Sequence, residues 1–143
     1  SRNIPSIMDY NVHINKSSMY NTPPVFAVYT SMLTLEWLKN LGGIKGVEIE
    51  NDKKATLMYS EIDLNPLFNG YTTKEDRSNM NATFTLTNED LKETFDTMCQ
   101  EAGIEGLNGH RSVGGYRASM YNALSLDSVK ALVEVMSELE SKA

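Results

Sequence analysis

Met80-Asn81-Ala82-Thr83-Phe84-Thr85-Leu86 alternates apolar and polar side chains without a break. Successive residues of a strand point to opposite faces, so Met80, Ala82, Phe84 and Leu86 share one side and Asn81, Thr83 and Thr85 the other. This is the pattern of a strand buried on one face only. Directly after it, Thr87-Asn88-Glu89-Asp90 carries helix-start chemistry, and Leu91, Phe95, Met98 and Ala102 repeat at helical spacing until Gly103. A short strand is expected near Ile104 to Leu107. Tyr116 to Tyr121 alternates again, with Arg117, Ser119 and Tyr121 on one face. A last helix starts near Ser125, its apolar stripe made by Leu126, Val129, Val133, Met136 and Leu139. From Met80 the order is strand, helix, strand, strand, helix. That implies an α+β domain of two layers: a small, largely antiparallel sheet with helices packed on one face.

Working back from Met80, Leu67 to Asn79 reads as a polar loop. A helix from about Gly46 to Asn65 precedes it, with Val47, Ala55, Met58 and Ile62 inward, and Pro66 stops it. Its charge-rich Glu48-to-Lys54 segment reads as a solvated face. Upstream again, Asn21-Thr22-Pro23-Pro24 is a helix-start signal, because a side-chain oxygen can cap free N–H groups and proline fits the first turn. The helix that follows begins at Pro23 or Pro24 and ends at Gly42-Gly43. Val25, Val28, Met32 and Leu35 line one side of it, and Phe26, Leu33 and Trp37 the neighbouring side. So broad an apolar surface suits a helix packed on two sides. Ile4 to Met8 reads as a short extended piece, and the stretch from there to Ser18 as polar. The Ser1-Arg2-Asn3 start lacks Met and fits a chain cut from something longer.

At 143 residues the chain has the length of one domain, and its composition is that of a folded, globular protein rather than a disordered one. A net charge of −6 argues against a nucleic-acid partner, which needs a basic face. A few placed arginines can still hold a small anion. No apolar run approaches the roughly 18 residues that span a bilayer, so no membrane partner is expected. Cys99 is the only cysteine. It can form no intrachain disulfide and suits a reducing, cytoplasmic compartment as a structural residue. Two histidines, one cysteine and no ordered carboxylate cluster give no metal site.

Gly109-His110-Arg111-Ser112-Val113-Gly114-Gly115-Tyr116-Arg117 is the densest candidate for chemistry. It holds three of the chain's nine glycines, two of its four arginines and one of its two histidines. Glycine lets the backbone turn sharply and come close to a ligand. The planar guanidinium grips carboxylate or phosphate with two parallel charged hydrogen bonds, and histidine adds a further donor. The same residues could instead form a glycine-rich hairpin whose arginines pair with surface carboxylates. Asn21-Thr22-Pro23-Pro24 is a second candidate, since a helix N-terminus favours phosphate. A plain N-cap would account for it too. Both choices stay open on the residues alone.

Together with Tyr20, Leu41-Gly42-Gly43, Arg77-Ser78-Asn79-Met80-Asn81 and the run Leu107 to Ala123, these stretches resemble the phosphoserine aminotransferases, in order and through nearly the whole chain. The resemblance implies the C-terminal small domain of a fold-type I, pyridoxal-phosphate-dependent transferase. Residues 1–24 would be a remnant of the large domain, and residues 25–143 the small domain, opening with a long connecting helix. It implies a homodimer that moves an amino group between phosphoserine with 2-oxoglutarate and 3-phosphohydroxypyruvate with glutamate, in serine biosynthesis. Asn21 and Thr22 match residues that reach across the dimer to the cofactor phosphate. Arg117 matches the arginine for the substrate α-carboxylate. His110 and Arg111 match the pair that holds the distal phosphate or carboxylate.

The family's Schiff-base lysine follows a glutamine, and none of the nine lysines here follows Gln100, the only glutamine. No catalytic residue is therefore expected in the chain, and by itself it should be inactive. Two other functions fit the same arginines: a self-standing regulatory module that binds a phosphorylated amino acid, or an aminotransferase of this fold with another acceptor. His110-Arg111 argues for phosphorylated substrates.

Overall fold

The computed structural model describes residues 4–143; the Ser1-Arg2-Asn3 start, read above as a cut end, lies outside them. The chain divides into two compact units, Ser1–Leu41 and Gly42–Ala143. The break falls at the end of the long apolar helix, where Gly42 and Gly43 take left-handed φ of 96° and 68°. The division expected from sequence, between residues 24 and 25, lies at that helix's start.

In the first unit a single 3-10 turn, Ser6–Met8, leads into helix α1, Tyr10–Asn15. This corrects the expected extended piece and polar stretch. Asp9 is the reason: its carboxylate accepts from the Asn11 N–H at 2.9 Å and starts a helix that apolar periodicity does not announce. Helix α2 spans Val25–Asn40, with Pro24 as its N-cap residue. Proline at 24 bars Pro23 from helical geometry, and Pro24 itself, at ψ of 71°, is not helical, so the helix starts after both expected positions, Pro23 and Pro24. No residue of α2 is buried.

The second unit carries the core. Helix α3, Gly43–Leu64, buries the four expected residues Val47, Ala55, Met58 and Ile62. It also buries Asn51 and Lys54, against the expectation of a solvated face. Strand β1, Phe68–Gly70, lies inside the stretch read as a loop. It is three residues long with one apolar side chain, too short for alternation to show. Tertiary packing makes it: Phe68 sits edge-on to Phe84 and Phe95, at ring separations of 5.7 and 5.3 Å. Strand β2, Asn81–Leu86, buries Ala82, Phe84 and Leu86 as its alternation dictates.

The Asn88 side chain accepts from the Asp90 N–H, opening a 3-10 turn, Glu89–Leu91, that runs into helix α4, Lys92–Glu101. The strand expected near Ile104 to Leu107 does not form. Gly103 and Gly106, at φ of 71° and 78°, turn the chain there, leaving one isolated bridge between Asn108 and Tyr116. Strand β3, Tyr116–Ser119, follows, and then helix α5, Leu126–Lys142, capped by the Ser125 hydroxyl on the Ser128 N–H.

The sheet is antiparallel throughout, in the order β1-β2-β3. Phe68, Ala82, Phe84, Tyr116 and Ala118 point into one cluster with Phe95 of α4 and Val129, Leu132 and Met136 of α5. The opposite face carries Thr83, Thr85 and Arg117. The α+β, helices-on-one-face expectation therefore holds. Cys99 is buried, and burial with nearby Asp96 pushes its thiol up to about 11, as a structural cysteine requires. No helix among the described residues is long and apolar enough to cross a membrane.

Candidate functional site

The Gly109–Arg117 stretch folds into a tight loop that delivers Arg117 onto β3. The His110 carbonyl accepts from the N–H groups of Val113 and Gly114 at 2.9 and 2.8 Å. The Gly109 N–H closes the loop on the Gly115 carbonyl at 2.9 Å. A Cβ on Gly109 would collide with the Gly114 carbonyl oxygen, and one on Gly115 would sit 2.7 Å from that of Phe84. These two glycines thus close the loop on itself and on the sheet. Their lost side chains make room for the protein's own backbone, which refines the reading that they make room for a ligand.

From there Tyr116 turns inward and Arg117 outward, opposite Thr83 of β2. The Arg117 N–H is tied to the Leu107 carbonyl at 2.7 Å, so the backbone that carries the guanidinium is held from both sides. Arg117 lines two clefts. One, of about 280 Å³, lies on the polar face of the sheet with Thr72, Thr83, His110 and Gly114. The other, of about 370 Å³, is bounded by Ala102 to Leu107, by Ser119, and by Leu124 and Ser128 before and within α5. His110 and Arg117 therefore share a cleft, whereas Arg111 is exposed and does not line it. Thr72 and Thr83, 3.1 Å apart at their hydroxyls, join the site as residues that sequence reasoning missed. The Thr83–Arg117 register that places them had no local signal.

The electrostatics separate the arginines. Arg77 makes two hydrogen bonds to Asp63, at 2.9 and 2.6 Å, and lies 4.5 Å from the Tyr59 ring centre. The Arg77 hydrogen bond is the main reason the Asp63 carboxyl is held down to about 2, with Lys74 adding to it. None of the ion pairs among the described residues involves Arg111 or Arg117. The surface-pairing account of these two arginines is not what the fold builds. On His110, Nδ1 lies 2.7 Å from the Ser112 hydroxyl and accepts from the Ser112 N–H at 3.3 Å. With Nδ1 engaged by Ser112, Nε2 is the ring nitrogen left to meet a ligand.

Asn21 and Thr22 belong to the first unit. Both are exposed, and no side chain caps α2. The plain N-cap account of these residues is thereby overturned. Pro24 occupies the capping position, so the Thr22 hydroxyl has no partner among the described residues. Asn21 makes one bond, from Nδ2 to the Thr22 carbonyl at 3.3 Å. An uncapped helix end beside a hydroxyl and an amide suits a phosphate group. No group of three or more His, Cys, Asp or Glu side chains placed to hold a metal occurs among the described residues.

Comparison with known proteins gives one consistent result. The family model described as aminotransferase class-V matches residues 3–132. The phosphoserine aminotransferase of Flavobacterium psychrophilum is 65% identical over 141 residues, covering 99% of this chain and 40% of that protein. Among solved structures, the phosphoserine aminotransferase from Bacillus circulans subsp. alkalophilus matches with a TM-score of 0.86 and 40% identity, over 97% of this chain and 39% of that one. A phosphoserine aminotransferase from Trichomonas vaginalis, solved with bound pyridoxal phosphate, matches at 0.80 and 36% identity, over 96% and 39%. The chain spans about 40% of the length of the relatives it matches.

Proposed function

Because the chain belongs to the class-V aminotransferase family, we propose that it forms the C-terminal part of a homodimeric, cytoplasmic phosphoserine aminotransferase. That enzyme exchanges an amino group between O-phospho-L-serine with 2-oxoglutarate and 3-phosphohydroxypyruvate with L-glutamate. Residues 1–24 are then the end of its large domain and residues 25–143 its small domain, led by α2. The observation that carries the reading is Arg117: a guanidinium held on a doubly tethered strand, without an ion pair among the described residues, at the rim of two clefts.

Each residue has a task that its setting supports. Arg117 forks the α-carboxylate common to all four substrates and so fixes the reacting carbon. His110 and Arg111 serve the distal phosphate or carboxylate across the dimer interface, with the His110 Nε2–H as one donor. The Thr22 hydroxyl and Asn21 amide, at the uncapped end of α2, fit the phosphate of pyridoxal phosphate. When bound, that cofactor supplies the electron sink for breaking the bond to the α-proton.

A lysine to anchor the cofactor and move that proton has to come from the rest of the protein. Eight of the nine lysines here are exposed on the surface, and the ninth, Lys54, has all three N–H groups bound to carbonyls. The chain alone is therefore inactive.

The test is Arg117→Ala in the full-length enzyme. Loss of the carboxylate's partner should lower kcat/KM for glutamate on the order of 100-fold. An unchanged kcat/KM removes Arg117 from the site. For inactivity of the part, the chain by itself should acquire no pyridoxal absorbance that borohydride fixes onto one of its own lysines.

A further inference from the structure

Among the described residues, Lys54 is the one charged side chain that the fold takes almost wholly out of water, at 1% exposure. It projects from α3, and its Nζ donates to the carbonyls of Met120, Tyr121 and Leu124 at 3.1, 2.8 and 3.0 Å. An ammonium has three N–H donors and no acceptor, so three converging carbonyls are its complete complement. A neutral amine would turn a lone pair on one of them. Burial lowers the affinity of Lys54 for its proton, and Glu50, one turn earlier on α3, works the other way. Also one turn earlier, the Asn51 amide donates to the Asn122 side-chain oxygen at 2.9 Å. Two side chains from one face of α3 thus grip a single turn, residues 120–124.

That turn begins one residue beyond β3, and three residues beyond Arg117. In the sheet order β1-β2-β3, β3 has only β2 as a strand neighbour. Its four residues are set by that one ladder, by the Leu107 tether at the start, and by the turn at the end. An apolar residue at position 54 would join α3 to the sheet, as Met58 and Ile62 already do. Only a cation collects three backbone carbonyls and fixes the path of the turn.

We propose that Lys54 is a positioning residue for substrate binding: it locks the 120–124 turn, and through it holds β3 so that Arg117 meets the substrate carboxylate. The proposal rests on the reading of Arg117 given above. It adds a residue that touches no ligand and acts through the strand.

The experiment is a double-mutant cycle in the full-length holoenzyme, with active sites counted by cofactor absorbance so that misfolded protein is excluded. Lys54→Met keeps the length and removes the charge. The expected result is a KM for glutamate raised about tenfold with kcat changed less than about threefold, and no further rise when Lys54→Met is placed in an Arg117→Ala background. Equal losses in both backgrounds, or an unchanged KM, overturn the positioning role. If Lys54→Met does not fold, Asn122→Ala loosens the same turn from its exposed side. It should raise KM about threefold with Arg117 present and not at all without it, and an unchanged KM again overturns the proposal. An Arg117→Ala enzyme with full kcat/KM would instead remove the site reading on which the proposal stands.

Discussion

The two compact units of the chain use apolar side chains in opposite ways. In Gly42–Ala143, Phe68, Phe84, Phe95 and Tyr116 form one aromatic cluster, sealed by Met58, Ile62 and the inner stripe of α5. In Ser1–Leu41, Phe26 is 84% exposed, and Val25, Tyr29, Leu33 and Leu35 are all open to solvent. The amphipathic helices α4 and α5 each hide one stripe and show water the rest. Helix α2 is apolar around most of its circumference and hides nothing. A helix of that composition is suited to an interior. The second unit carries its own core; the first buries no residue of α2.

The sharpest way to break this contrast is to delete one large ring from each unit. Phe84, 1% exposed and packed against the rings of Phe68 and Tyr116, should cost about 3–5 kcal/mol of unfolding free energy when changed to alanine, read by urea denaturation. A cost under about 1 kcal/mol would mean that the second unit lacks the core described.

A smaller effect belongs to the clamp on the loop between β1 and β2. Asp63 holds Arg77 and Lys74, and its carboxyl is depressed from 3.8 to about 2. A folded-state value below the unfolded one stabilises the fold above the unfolded value. That contribution erodes as pH falls from about 4 towards 2. Because the pair is partly exposed, its worth is about 1 kcal/mol. Asp63→Asn should lose that amount at pH 7 and flatten the acid limb of a stability–pH profile between pH 4 and 2. An unaltered acid limb would show that the clamp contributes nothing.

Sequence and structure part company where local pattern stops deciding the outcome. The β2 strand and the start of α5 near Ser125 were legible because periodicity is local; of the expected α5 stripe Val129, Met136 and Leu139 are buried, joined by Leu132 and Val135 rather than by Leu126 and Val133. Strand β1 was not, because Asn69 and Gly70 are strand residues only by pairing with Thr85 and Phe84. The Ile104–Leu107 strand was overcalled because Gly106 mattered more than the apolar residues around it. At the candidate site, the glycine and arginine density of 109–117 singled out a loop that the fold places along the cleft lined by His110, Gly114 and Arg117. That Arg77 is paired while Arg111 and Arg117 have no ion pair among the described residues is a fact of tertiary structure. Lys54 shows the same limit. In sequence it is one charge in a charged run, and its burial follows from where three distant carbonyls converge.

A truncated chain of residues 42–143 sharpens the comparison further. If the second unit's core is its own, the truncated form should unfold cooperatively, with its free energy within about 1 kcal/mol of the parent chain. It should also bind much less of an apolar-surface dye. Loss of cooperative unfolding would assign the first unit a share in the core.

The smallest effect expected is the counterpart of the first. Phe26→Ala removes a ring of the same size as Phe84, but from a position that is 84% exposed. The ring leaves water neither before nor after unfolding, so the transfer term nearly cancels. No cavity is created, because nothing packs around it. Alanine also favours a helix slightly more than phenylalanine does. The unfolding free energy of the chain should therefore move by less than about 0.5 kcal/mol. Self-association, followed by sedimentation, should weaken as the apolar area falls. A cost near that of Phe84→Ala would show that α2 is covered in solution within the chain itself, and the contrast between the two units would have to be withdrawn.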